Sequence, residues 1–267
     1  TMQMPPNSVV PIAANERVVF FSDAHLGNDN SPQSQGRTER VCSFLESLPG
    51  RVEVVIILGD LFDFYFEYRS VVPARYLRVL SSLEALTRAG VRTYYVAGNH
   101  DFWLGRLFTD TLGITVEPDA LLLDREGEKN CRVLASHGDG LGEGDTGYKI
   151  LKMMLRNPLL IGAFKLIHPD WGYAIASLTS RTSRKHTSRH QNKRVEASAR
   201  VGQALLESGH NLNTVILAHT HTPDDRSFES GRYMNTGDWC NHFSWIEWTG
   251  PDQFTIKYYP DSNNEKS

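Results

Sequence analysis

The chain has 267 residues, of which 40% are hydrophobic and 22% charged, enough to bury a sizeable core and too apolar for a disordered protein. Its three cysteines, Cys42, Cys131 and Cys240, are odd in number and far apart, which excludes a disulfide framework and a thiolate zinc site and fits a reducing cytosol. The formal net charge of −3 is uneven: residues 146–200 hold eleven Lys or Arg against Asp170 and Glu196, an asymmetry that favours an anionic partner over a merely solvated helix face.

Residues 1–15 contain Pro5, Pro6 and Pro11 but no basic stretch followed by an apolar one, so they do not read as a signal peptide. Residues 17–22 form the first β-branched and aliphatic run of the kind expected in a strand buried on both faces. A helix is expected over 39–48, a second strand over 52–58, and a helix over 73–89, where Leu77, Leu80, Leu83 and Leu86 recur at helical spacing. Further core strands follow over 91–97 and 131–136. Residues 146–194, punctuated by Pro158, Gly162, Pro169 and Gly172, break the rhythm and are expected to form a helical cap inserted into a core of residues 16–145 and 195–260. A helix over 195–207, stopped by Gly209, leads to a fifth core strand over 213–218. Residues 226–228, 232–234, 245–248 and 254–259 read as short antiparallel strands, and 261–267 as a polar tail. The alternation predicts an α/β sandwich with two sheets. No run of about 20 apolar residues occurs, so no membrane span is expected, although peripheral contact with a membrane stays open.

Every predicted core strand ends in metal-ligand residues: Asp23-Ala24-His25, Gly59-Asp60-Leu61-Phe62-Asp63, Gly98-Asn99-His100-Asp101, His137-Gly138-Asp139 and His219-Thr220-His221. Strand carboxyl ends are where α/β sheets gather functional groups, so these distant residues are expected to converge. A single Asp-x-His or His-x-His pair is usually a surface or capping feature. Five in succession, mixing a bridging carboxylate with imidazole and carbonyl ligands and no thiolate, fit two divalent ions about 3.5–4 Å apart. Such a donor set takes Mn(II) readily, with Fe, Zn or Co as competitors.

These motifs, in this order, resemble the signature of the calcineurin-like metallophosphoesterases. The resemblance implies a four-layer α/β/β/α sandwich and two divalent metal ions. It assigns Asp23, His25 and His221 to one ion and Asn99, His137 and His219 to the other, with Asp60 as the bridge. Asp63, Asp101 and Asp139 would orient ligands or backbone rather than bind directly, because direct binding would overfill the sites. The expected chemistry is in-line attack of an activated water on phosphorus without a covalent enzyme intermediate, with His100 protonating the leaving oxygen.

The substrate is a finer question, since one such centre serves many phosphoesters. Gly98-Asn99-x-Asp101-Phe102, His137-Gly138-Asp139 followed by Asp145-Thr146-Gly147-Tyr148, the basic helical segment and Asn235-Thr236-Gly237-Asp238-Trp239 are similar to the UDP-2,3-diacylglucosamine pyrophosphohydrolases of lipid A synthesis. Some of those carry Arg at the position of His100, a departure that bears on substrate identity and not on the metal chemistry. The resemblance implies a nucleotide-diphospho-lipid substrate cleaved to UMP and an acylated sugar phosphate. Arg181, Arg184 and Lys185 would meet phosphates, Asp145 and Tyr148 would lie in the substrate-side loop, and cap residues such as Leu159, Leu160, Ile161, Phe164 and Ile167 would line an acyl pocket or pack the cap. The expected location is cytoplasmic, with peripheral contact to the inner membrane. Other nucleotide pyrophosphatases, a nuclease using Trp171 and Tyr173 to stack bases, and a non-catalytic member of the fold are the competing readings; the filled ligand positions speak against the last.

Overall fold

The computed structural model describes residues 9–27, 31–127, 131–141, 157–174 and 191–260. In chain order the strands are β1 (Val9–Ile12), β2 (Val18–Phe21), β3 (Val54–Leu58), β4 (Arg92–Val96), β5 (Thr115–Glu117), β6 (Ala120–Arg125), β7 (Arg132–Ser136), β8 (Thr214–Leu217), β9 (Pro223–Phe228), β10 (Gly231–Thr236), β11 (Ser244–Gly250) and β12 (Gln253–Tyr258). The helices are α1 (Pro32–Ser47), α2 (Leu77–Arg88), α3 (Pro158–Phe164) and α4 (Gln191–Leu206), with a π-helical turn over Leu107–Thr111.

The strands form two mixed six-stranded sheets, ordered β1-β6-β7-β8-β10-β9 and β12-β11-β2-β3-β4-β5. Strand alternation sorts their side chains into three cores. Val18, Phe20, Val54, Ile56 and Leu58 face Val133, Ala135, Ile216 and Met234 in a layer between the sheets. The opposite face of the second sheet, through Val19, Phe21, Val55 and Ile57, packs on Val41, Phe44 and Leu45 of α1 and on Val79, Leu83 and Leu86 of α2. Leu134, Val215, Leu217 and Tyr233 do the same for the first sheet against Ala199, Leu205 and Leu206 of α4. The result is the expected four layers, and each such buried Leu, Ile or Phe contributes about 1.5–3 kcal/mol by leaving water.

Several element boundaries differ from the sequence expectation. Helix α1 starts at Pro32, seven residues earlier than 39, because Ser31 caps it through the Ser34 amide at 3.2 Å and Pro32 suits a first turn; its polar first turns hide this from periodicity. Leu77 is 57% exposed, and Val79 takes the inward position instead. Strands β1, β5 and β6 lie outside the predicted set. The closing strands are not all antiparallel: β10 runs parallel to β8 and antiparallel to β9, and β11 and β12 join the other sheet.

Within residues 157–174, Asn157 caps α3 through the Leu159 amide at 2.9 Å. Phe164 stacks on Trp103 with centroids 5.3 Å apart and lies 4.6 Å from Phe66, while Tyr173 meets Phe64 at 5.2 Å. These aromatic contacts tie the segment to the loops that follow β3 and β4. Leu159, Leu166 and Trp171 remain 82%, 88% and 71% exposed. No helix among the described residues is long and apolar enough to cross a membrane.

Candidate metal centre

Five strands end at one place. Three, β2, β3 and β4, come from one sheet and two, β7 and β8, from the other, so the site closes one end of the sandwich across both layers. The chain turns immediately after these buried strands, with positive φ at Asp23, Gly59, Asp60, Gly138 and His219. The loops after β2 and β3 run side by side, with the Asp23 amide donating to the Gly59 carbonyl at 3.1 Å and the His25 amide to the Asp60 carbonyl at 3.0 Å. In the other sheet, the loops after the neighbouring strands β7 and β8 are joined in the same way, with the Ala218 amide donating to the His137 carbonyl at 3.1 Å.

Backbone conformation marks the same residues. Among the described residues, seven other than glycine have positive φ, and five of them are Asp23, His25, Asp60, His219 and His221. That left-handed region is costly for such side chains, and strain of this sort concentrates where function demands a geometry. Glycine is required beside them: a Cβ on Gly98 would strike the carboxylate and amide of Asp60, and one on Gly59 would lie 2.5 Å from Gly98 Cα.

The donor atoms converge in two overlapping sets. In the first, His221 Nε2 lies 3.2 Å from Asp23 Oδ1 and 3.2 Å from His25 Nε2, and His25 Nε2 lies 3.8 Å from Asp23 Oδ1. In the second, His137 Nε2 is 3.4 Å from Asp60 Oδ2, 3.1 Å from Asn99 Oδ1 and 3.2 Å from His219 Nδ1. Asp60 Oδ2 also reaches to 3.8 Å from His25 Nε2, so one oxygen faces both sets. Ligands bound at about 2.0–2.2 Å to a common ion lie roughly 3–3.6 Å from each other, close to most of these separations.

The buried polar atoms test the fit to metal independently. Asp23 Oδ2 accepts from Ser22 Oγ at 2.5 Å and from the His219 amide at 3.0 Å, whereas Oδ1, fully buried, makes no aligned hydrogen bond and faces only the imidazoles, with His221 Nε2 at 3.2 Å. Asp60 Oδ1 accepts from the His100 amide at 2.9 Å, which leaves Oδ2 to the shared position. A buried carboxylate oxygen without a donor is costly unless a cation meets it. Oxygen and imidazole donors without thiolate suit a divalent ion, and the residues present fit such a pair.

Electrostatics follow from this crowding. Burial would raise the carboxyls of Asp23 and Asp60, but the surrounding imidazoles reverse that and hold both well below the usual carboxylate range. Burial likewise opposes charge on His137 and His221, yet Asp60 pushes His137 up to about 10, and Asp23 with Asp238 pushes His221 up to about 10. Burial, aided by neighbouring His137, takes His219 down to about 3, and burial lowers His25. Two imidazoles thus carry protons that stand in for positive charge at the site, and a metal must displace them.

The supporting residues have distinct contacts. His137 Nδ1 sits 2.7 Å from the Leu58 carbonyl, which directs Nε2 inward. Asp63 Oδ1 lies 3.7 Å from His25 Nδ1. Asp101 accepts from the amides of Asp60, Gly98 and Phe62 and from the Tyr95 hydroxyl, so it fixes the loop carrying Asp60; burial, with Asp60 near, raises it to about 6. Asp139 is buried, and its charge favours protonation of His137 and His219. His100 Nδ1 lies 2.7 Å from the Asp63 carbonyl, and its ring meets that of His25 edge to face at 4.8 Å, at the rim of the site. Asp145, Tyr148, Arg181, Arg184 and Lys185 lie outside the described residues.

Two neighbours were not singled out from sequence. Asp238, fully buried, has Oδ2 3.6 Å from His221 Nδ1 and Oδ1 accepting from the Asn241 and His242 amides; it stands in the Asn235–Trp239 motif, where only its burial reveals a role. Arg194 Nη2 lies 3.1 Å from His219 Nε2, and nothing in its helical sequence context distinguishes it from other basic residues of the segment.

Comparison with known proteins agrees with this architecture. The calcineurin-like phosphoesterase family matches residues 16–223. A UDP-2,3-diacylglucosamine hydrolase of Porphyromonas gingivalis is 30% identical over 250 residues, 88% of this chain and 94% of the relative. One from Pseudomonas aeruginosa is 29% identical over 83% of this chain and 90% of its own length. A dimetal phosphatase from Danio rerio shares the fold with a TM-score of 0.51 at 14% identity, covering 92% of this chain and 96% of that one. With five strand ends delivering two overlapping oxygen and imidazole donor sets to one end of a four-layer sandwich, this chain belongs to the calcineurin-like phosphoesterase family and is a metal-dependent phosphoester hydrolase.

Proposed function

We propose that the protein hydrolyses the pyrophosphate of UDP-2,3-diacylglucosamine to UMP and 2,3-diacylglucosamine 1-phosphate, a step of lipid A synthesis. The observation that carries the reaction is the single oxygen Asp60 Oδ2 facing both donor sets, 3.4 Å from His137 Nε2 and 3.8 Å from His25 Nε2. Asp23, His25 and His221 would hold one divalent ion, Asn99, His137 and His219 a second, and Asp60 both, with Mn(II) favoured by the donor set. Such ions supply positive charge for phosphoryl oxygens and acidify an attacking water.

The chain's own residues do the rest. Asp101 fixes the loop that aims Asp60, the Leu58 carbonyl fixes the His137 tautomer, and the Asp63 carbonyl holds His100 through Nδ1 with Nε2 free to carry a proton to the leaving oxygen. For substrate, support comes from the two hydrolases similar over more than four-fifths of the chain. The exposed apolar side chains of residues 157–174 also suit acyl chains or a membrane surface beside a basic segment. We take residues 146–194 as a cap inserted between 16–145 and 195–260, and the enzyme as cytoplasmic with peripheral membrane contact.

The deciding experiment compares turnover of UDP-2,3-diacylglucosamine, UDP-N-acetylglucosamine, single-stranded DNA and p-nitrophenyl phosphate under Mn(II). The diacylated nucleotide should be preferred by orders of magnitude, since each buried methylene adds about 0.8 kcal/mol. Equal rates on the non-acylated sugar nucleotide, or faster cleavage of DNA, would remove the lipid substrate and leave the metallophosphoesterase.

A further inference from the structure

Asp23 and His25 reach the site from a turn whose backbone is left-handed at both residues, with φ of 54° and 44°, a conformation that persists only when its surroundings hold it. Its amides pair with the loop after β3, so its carbonyls show what else holds it. Asp23 accepts from the Trp239 amide at 3.1 Å, Leu26 from the Asp63 amide at 3.0 Å and Gly27 from Arg75 Nη1 at 3.1 Å. Between them, the carbonyls of the buried residues Ala24 and His25 accept from one atom, Arg37 Nη1, at 3.3 Å each. The Cys240 thiol, a weak donor, approaches the Ala24 oxygen only to 3.8 Å.

Helix α1 places this guanidinium. Ser34, Val41, Phe44 and Leu45 mark the buried face of the helix, and Arg37 falls on that face, three residues after Ser34 and four before Val41. Periodicity would put an apolar residue there, but at this point the helix meets the turn after β2 and its two carbonyls. Without the guanidinium both carbonyls would lose their donor inside the protein, and the turn would relieve that cost by shifting. Such a shift moves His25 directly. The second donor set has other supports: the Leu58 carbonyl aims His137, and Asp101 holds the Gly98 amide beside Asn99. We propose that Arg37 is a positioning residue for one metal of the pair, locking the turn that presents Asp23 and His25 and so setting the affinity of the ion they hold with His221. The proposal rests on the reading of those three residues as ligands to one ion.

The test is manganese titration of the full chain, followed by calorimetry and by electron paramagnetic resonance, which separates a single ion from a coupled pair. Wild type, Arg37→Ala, Arg37→Lys and Asp23→Ala are compared, with thermal unfolding of each metal-free protein alongside. Arg37→Ala should bind one ion as wild type does and the other about 10- to 100-fold more weakly, so its single-ion signal persists to higher manganese. Arg37→Lys should recover part of the loss, because both bonds come from one nitrogen and an ammonium also offers several hydrogens from one atom; if Arg37→Ala does not fold, weakening of one ion in Arg37→Lys decides. Unchanged affinity for both ions, or equal weakening of both with a matching fall in thermal stability, overturns the proposal. Asp23→Ala should lose the same ion outright. Retention of both ions by Asp23→Ala would overturn the ligand assignment and the Arg37 proposal with it, whereas loss in Asp23→Ala with none in Arg37→Ala would refute the Arg37 proposal alone.

Discussion

Asp60 and His137 meet across the two sheets, with Asp60 Oδ2 3.4 Å from His137 Nε2. Asp60 follows β3 of one sheet and His137 follows β7 of the other, so this contact is where the layers join at the site. It also sets the charge balance, since Asp60 is the main group that pushes His137 up to about 10 against burial.

Asp60→Ala is therefore expected to abolish turnover and to lower metal content at both positions together, because Asp60 Oδ2 faces both donor sets. Metal analysis by mass spectrometry beside activity checks this. Two bound ions with near-normal turnover would contradict the bridging role.

His100→Ala should behave differently. Its ring sits at the rim, held through Nδ1 by the Asp63 carbonyl at 2.7 Å, so its loss is expected to cut kcat by about 10²- to 10⁴-fold while both ions stay bound. A parallel fall in metal content would make the residue structural.

Metal binding should release protons. His137 and His221 are each pushed up to about 10 in the metal-free site, whereas His219 and His25 are lowered and neutral at pH 7. A metal requires neutral imidazoles, so loading near pH 7 should displace about two protons. Affinity should then rise with pH until about 10 and fall steadily below it. Calorimetry in two buffers of different ionisation enthalpy reads the proton count directly, and a count near zero would refute the assignment. Without metal the two raised imidazoles contribute stability that is fully present below about pH 6.5 and fades as pH climbs toward 10, whereas the lowered carboxyls of Asp23 and Asp60 contribute above the usual carboxylate range and lose it in acid.

Gly98→Ala tests the backbone that aims the bridge. Its Cβ would enter the space of the Asp60 carboxylate and amide, so thermal or denaturant unfolding should show a loss of about 1–3 kcal/mol, typical of overpacking. Metal content should fall with it. Wild-type stability and metal content would show that the loop yields without disturbing Asp60.

The sequence by itself determined the parts of this protein that depend on local chemistry. Runs such as Val54–Leu58 are aliphatic throughout because both their faces are covered, and the polar motifs begin where each run stops, so strands and candidate ligands could be read together. Residues that act only through distant neighbours left no such trace. Asp238 gains its place by standing 3.6 Å from His221 Nδ1, and Arg194 by lying 3.1 Å from His219 Nε2, contacts set by how the turn after β10 and helix α4 pack and not by any periodicity. The division of the five strand ends between two sheets, the exchange of Val79 for Leu77 on the inner face of α2, and the parallel pairing of β10 with β8 were likewise decided by tertiary structure, because side-chain pattern records how much of a residue is buried and not against which neighbour.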